Sequence, residues 1–209
     1  MPHTATLSIK FLTNKINFMT TEVSGTHIVA ADSKLRELFV DQLRDIYWAE
    51  NKLAKALDRM QTAATTTRLK DAFGIHREQT KGHRRRLEEV FSSISEPVDS
   101  SKCPAMAGII EEANDIIDDT DDGTAQRDAG LIIAAQKAEH YEIASYGSLA
   151  QLADTLSYSE AKHLLGITLA EEKATDELLT EIARSGINYS AALEEKNENV
   201  TKPIFIQPV

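Results

Sequence analysis

The stretch Lys137-Ala138-Glu139-His140-Tyr141-Glu142-Ile143-Ala144 sits inside a long run whose apolar residues recur at helical spacing. Alternating steps of four and three through it give Asp128, Ile132, Ala135, Glu139, Glu142, Tyr146, Leu149, Ala153 and Leu156 as the inward face. Glu139 and Glu142 are then one turn apart on the side that buries. A buried charge without a partner is costly, so something must compensate the two.

Working outward, three more segments show the same pattern. The seam of the first is Phe39, Leu43, Ile46, Glu50, Leu53, Leu57 and Met60, broken only by Glu50, with Ser33 as its N-cap. The second reads Leu69, Phe73, His76, Thr80, His83, Leu87, Val90 and Ile94, polar in its middle turns. The last reads Leu165, Leu169 or Thr168, Glu172, Asp176 or Thr175, Leu179 and Ile182, with Gly186 as a C-cap. Between the halves, Ser- and Pro-containing residues 96–104 lead into a shorter apolar helix. The acidic turn Asp118-Asp119-Thr120-Asp121-Asp122-Gly123 closes it. That turn lacks the ligand alternation of a calcium loop and reads as a solvated turn.

A shift of 92 residues lays the first helix pair on the last without a gap. Glu50 falls on Glu142, Thr80 on Glu172, Gln79 on Glu171 and His83 on Thr175. Two hairpins so related predict an all-α four-helix bundle with an extra crossover helix. The expected boundaries are a tail at 1–31, the bundle at 32–187 and a second tail at 188–209.

In rods of about 35–40 Å the polar insertions meet near mid-length. Glu50, His83, Glu139, Glu142 and Glu172 then surround one cavity, with Gln79, Thr80, Glu171 and Asp176 close by. Four carboxylates cannot all stay ionised there without a cation. Carboxylates with imidazole and no thiolate suit iron or manganese, and a bundle of this kind takes two ions. His76 and His140 are read as structural. The tyrosines Tyr47, Tyr141 and Tyr146 are read as packing residues whose hydroxyls bond carboxylates.

The composition excludes other classes. The net charge of −10 disfavours nucleic acid, and His83-Arg84-Arg85-Arg86 reads as a solvated face with His83 inward. One cysteine, Cys103, provides neither a disulfide framework nor a thiolate zinc site. No apolar run reaches membrane-span length, and a cytoplasmic location is expected. No nucleophile triad, phosphate loop or nicotinamide site stands out, no organic substrate is indicated, and turnover is left open.

The segments Asp45–Leu53, His76–His83, Glu139–Gly147 and Thr168–Asp176 resemble the YciF/YciE-like stress-protein family of the ferritin-like superfamily. The resemblance runs from about Lys34 to Ile187. It implies a rubrerythrin-like bundle, a homodimer and a di-iron site. Carried over residue by residue, Glu172 bridges the metals, Glu50 and Glu142 are terminal ligands, His83 binds one ion and Glu139 switches. Asp176 completes the expected set. The pattern is departed from at Thr80, where the first Glu-x-x-His motif has Glu, and at Thr175, where the second has His. Peroxide, oxygen or ferrous iron are the expected reactants, and a metal-free dimeric scaffold with a polar core is the alternative.

Overall fold

The structure is a computed structural model and describes residues 33–195. The expected tail at 1–31 lies outside the described residues, as does 196–209.

Ser33 Oγ accepts from Arg36 N–H at 3.2 Å and starts α1, Lys34–Ala63. Next come α2, Thr67–Ser93, and α3, Pro104–Asp119, which begins with Cys103 as its cap. Thr124 caps α4, Ala125–Thr155, and a break at Leu156–Tyr158 leads into α5, Ser159–Ile182. No strand occurs among the described residues.

The 92-residue repeat carries through to the helix ends. Shifted by that offset, α1 spans 126–155 and α2 spans 159–185, close to the observed α4 and α5. α1 packs on α2 and α4 on α5, and the hairpins meet through α2 with α5 and α1 with α4. The crossover helix α3 lies across α1 and α4. It approaches α4 so closely that a Cβ at Gly130 would stand 2.7 Å from the Ile116 methyl. Only glycine fits there without a shift.

Every inward residue read from the seams of α1, α2 and α4 is buried. In α5 the seam takes Thr168 and Thr175, whereas Leu169 and Asp176 are half-exposed.

Two features differ from expectation. Gly186 does not end the chain's helical course. It takes φ 149° and ψ −25° in a wide turn, Ala183–Ile187, after which α6 runs over Asn188–Leu193. α6 packs on α4, and the Glu194 carboxylate accepts from Ala125 N–H and Gln126 N–H at 2.6 and 2.8 Å. A carboxylate at a helix N-terminus satisfies donors that have no intrahelical partner. The segment after 187 therefore begins as part of the bundle.

Candidate metal centre

Each helix delivers its polar residues from the seam that otherwise carries the core. Glu50 on α1 lies between Ile46 and Leu53, and Glu172 on α5 between Thr168 and Thr175. Glu50, His83, Glu139, Glu142 and Glu172 have no exposed surface, and His76 has 2 %.

They form two groups that share one residue. His76, Glu139, Glu142 and Glu172 offer ligand atoms within 4.8 Å of one another, and so do Glu50, His83 and Glu172. Glu172 stands in both, as a bridging carboxylate must.

At His83 the Nε2 lies 2.8 Å from Glu171 Oε2. Burial alone would raise the Glu171 carboxyl, but hydrogen bonds from Arg86 and His83 outweigh it and hold it below the usual range. An ionised carboxylate only accepts, so Nε2 carries the proton. Nδ1 then faces Glu172 Oε1 at 2.8 Å and Glu50 Oε1 at 3.5 Å. Without a cation, a proton between Nδ1 and the facing carboxylates relieves that contact. Burial opposes this proton, yet the contacts with Glu172 and Glu50 outweigh burial and lift the His83 pKa to about 10. At His76, burial again opposes the charge. The field of Glu139, whose Oε1 is 3.0 Å from His76 Nε2, outweighs it and raises that ring too.

The carboxyls move the same way. Burial raises Glu139 to about 7 despite the His76 contact, and it raises Glu50 against the pull of His83. Glu142 forms no ion pair. Burial pushes its carboxyl well up, and Glu172, Glu50 and Glu139 push it further. No donor is aligned on either oxygen of Glu139, Glu142 or Glu172. Orphaned buried acceptors are rare and call for an explanation.

This donor set fits a pair of hard-to-intermediate cations. It consists of carboxylate oxygens and imidazole nitrogens, it contains no thiolate, and its unpaired atoms fall into two groups that share Glu172. Glu171 holds the His83 ring, and Tyr146 O–H donates to Glu50 Oε1, so both candidate ligands are oriented from behind.

Asp176 is not brought together with the others. It accepts from Gln136 Nε2 at 3.1 Å and faces the exposed His140 at 3.4 Å. The reason is a one-residue choice in the α5 seam, since Thr175 takes the inward position. Conversely, His76, expected to be structural, lies with Glu139, Glu142 and Glu172. The signal was its place in the α2 seam, seven residues before His83. It brings an imidazole to the half of the site where Thr175 supplies none. Thr80 and Thr175 bond back to the carbonyls of His76 and Glu171 at 2.9 and 3.1 Å. All three tyrosines donate to carboxylates, Tyr47 to Glu88, Tyr141 to Asp45 and Tyr146 to Glu50.

Residues 34–192 match the family model described as a domain of unknown function, DUF892. The Escherichia coli (strain K12) protein YciF is 46 % identical over 158 residues, which is 75 % of this chain and 95 % of that protein. The crystal structure of that protein, described as a stress protein, superposes with a TM-score of 0.72 over 75 % of this chain and 98 % of its own. YcfI of Rhodopseudomonas palustris, described as a candidate structural protein, is 35 % identical. Its TM-score is 0.68 over 73 % of this chain and 97 % of its own. A Xanthomonas campestris protein at 21 % identity shares the fold, with a TM-score of 0.60 over 77 % of this chain and 97 % of its own. The match over most of the chain and the superposed helices lead to one statement: this ferritin-like bundle belongs to the DUF892 family and is a YciF-like protein.

Proposed function

We propose that the chain holds a carboxylate-bridged pair of iron or manganese ions and handles peroxide, oxygen or ferrous iron under stress. The observation that carries this is Glu142, a fully buried carboxylate that forms no ion pair and has no donor on either oxygen. Glu172 is the bridge because it belongs to both groups. Glu50 and His83 complete one position, and His76, Glu139 and Glu142 complete the other. When bound, such ions supply one-electron redox chemistry and polarise oxygen-containing ligands.

The chain's own residues prepare that chemistry. Glu171 fixes the His83 ring with Nδ1 inward. The Tyr146 hydroxyl holds Glu50 Oε1 and leaves Oε2 free. Apolar seam residues on both sides, among them Ile46, Leu53, Leu87 and Leu179, exclude water. The stress setting is supported by the description of the E. coli relative.

Anaerobic loading of the metal-free protein with ferrous or manganous ions tests this reading. About two ions per chain are expected at micromolar concentration. Glu142→Ala combined with Glu172→Ala is expected to abolish binding and the loss of added hydrogen peroxide. Failure of the wild type to take up either metal sinks the proposal.

A second reading is favoured by the description of the R. palustris relative as a structural protein. In it, the contacts His76–Glu139, His83–Glu172 and Tyr146–Glu50 satisfy a metal-free polar core. Thermal stability unchanged by chelators separates the two. A homodimer in the cytoplasm goes with either proposal, and sedimentation measures the dimer. Among the described residues no helix is long and apolar enough to cross a membrane.

A further inference from the structure

The buried cluster has one neighbour with a face in solvent. The Glu171 side chain is 32 % exposed, yet its Oε2 is 2.8 Å from His83 Nε2. It lines a groove of about 710 Å³ between α2 and α5, together with Gln79, Gly166, Ile167, Ala170 and Ala174. Arg86 holds the carboxylate across the gap, with Nη1 and Nη2 donating to Oε2 and Oε1 at 3.1 and 3.2 Å. The same Nη1 donates to Thr168 at 2.6 Å.

We propose that this groove is the port by which divalent metal ions reach the centre, with Glu171 receiving them and Arg86 as its latch. The proposal rests on the metal-centre reading. An incoming cation competes with Arg86 for the Glu171 oxygens, and these are hard donors of the kind such ions prefer. Once released, the carboxylate lies between solvent and His83. Gln79 of α2 also lines the groove. Lys162, also at the groove, is already held by Asp154 at 2.8 Å.

Of the other surface grooves, the one between α1 and α2 is unfavourable to cations. It measures about 410 Å³ and is lined by Lys55, Arg77, Lys81 and Arg84, with Asp58 as the one carboxylate in its lining. No residue of the cluster lines it. On the far side, α3 covers α1 and α4.

Stopped-flow uptake of cobalt(II) by the metal-free full-length protein, followed by its visible absorption, tests the port. Ala170 is exposed on α5, so Ala170→Phe fills the groove and leaves the core intact. It is expected to slow uptake several-fold with the final metal content unchanged. Arg86→Gln frees Glu171 and removes a repelling charge, so uptake is expected to quicken by on the order of tenfold. Wild-type rates in both variants, with full final content, overturn the port and leave the metal centre standing. Faster uptake in Lys55→Gln, with Arg86→Gln unchanged, also overturns it by moving the path to the α1–α2 groove. No uptake by the wild type overturns both port and centre.

Discussion

His83 has two unlike nitrogens, and this asymmetry sets the acid–base behaviour of the centre. Nε2 is committed to Glu171, and Nδ1 faces Glu50 and Glu172. In the metal-free protein the facing groups are Glu50, Glu139, Glu142, Glu172, His76, His83 and Tyr146. Glu139 is raised to about 7 and His83 to about 10. Both folded-state values lie above those of the unfolded chain, so the folded state binds more protons between them. For Glu139 the stability is lost as pH rises from the ordinary carboxyl range to about 7. For His83 it is present below the ordinary imidazole value and lost as pH rises to about 10. Chelated protein is therefore expected to melt at lower temperature as pH rises from 5 to 9. Metal displaces these protons, so the gain in melting temperature on loading is expected to grow over the same range. A chelated melting temperature that climbs with pH contradicts this. Glu50, Glu139, Glu142 and Glu172 were legible in the sequence because they interrupt apolar seams, and His83 because it matches the histidine of the family's first Glu-x-x-His motif. His76 was not, since a lone histidine in a seam has the same pattern whether it binds a metal or a backbone group. Asp176 was misplaced because Asp and Thr stand side by side, and a seam read without neighbours does not decide between them.

Among the elements, the joint between α1 and α2 shows how the second hairpin organises the first. The cap residue Thr66 makes no side-chain cap bond. Instead the fully buried Asp128 of α4 accepts from Thr65 N–H at 2.6 Å and Thr66 N–H at 2.9 Å. One carboxylate thereby closes the start of α2 and fixes the hairpin against α4. Asp128→Ala removes both acceptors from part-buried donors and is expected to cost about 1–3 kcal/mol in urea unfolding. A loss under about 0.5 kcal/mol, typical of a surface substitution, contradicts that role. The sequence placed Asp128 correctly on the inward face but not its partners, which come from 62 and 63 residues away. Helix order and the seams of α1, α2 and α4 were legible because local periodicity determines them. The turn at Gly186 was not. Glycine after an apolar run stops most helices, whereas here its φ of 149° bends the chain so that α6 returns to α4.

For the molecule as a whole, the repeat explains both what the bundle shares between its halves and where the halves part. The pair Glu50 and Glu142 keeps the symmetry, and both are buried at one level. The pairs Thr80 with Glu172 and His83 with Thr175 do not, so one carboxylate serves both groups and both imidazoles come from α2. On the metal-centre proposal the two adjoining groups of ligand atoms are therefore unlike, one with His83 and Glu50 and the other with His76, Glu139 and Glu142. That claim is tested most directly by anomalous X-ray scattering from crystals of the iron- or manganese-loaded protein. The expected result is two peaks about 3.5–4 Å apart, one on each side of the Glu172 carboxylate, with His83 at one and His76 at the other. An empty core in fully loaded crystals, or peaks confined to the acidic turn at Asp118–Asp122, contradicts it.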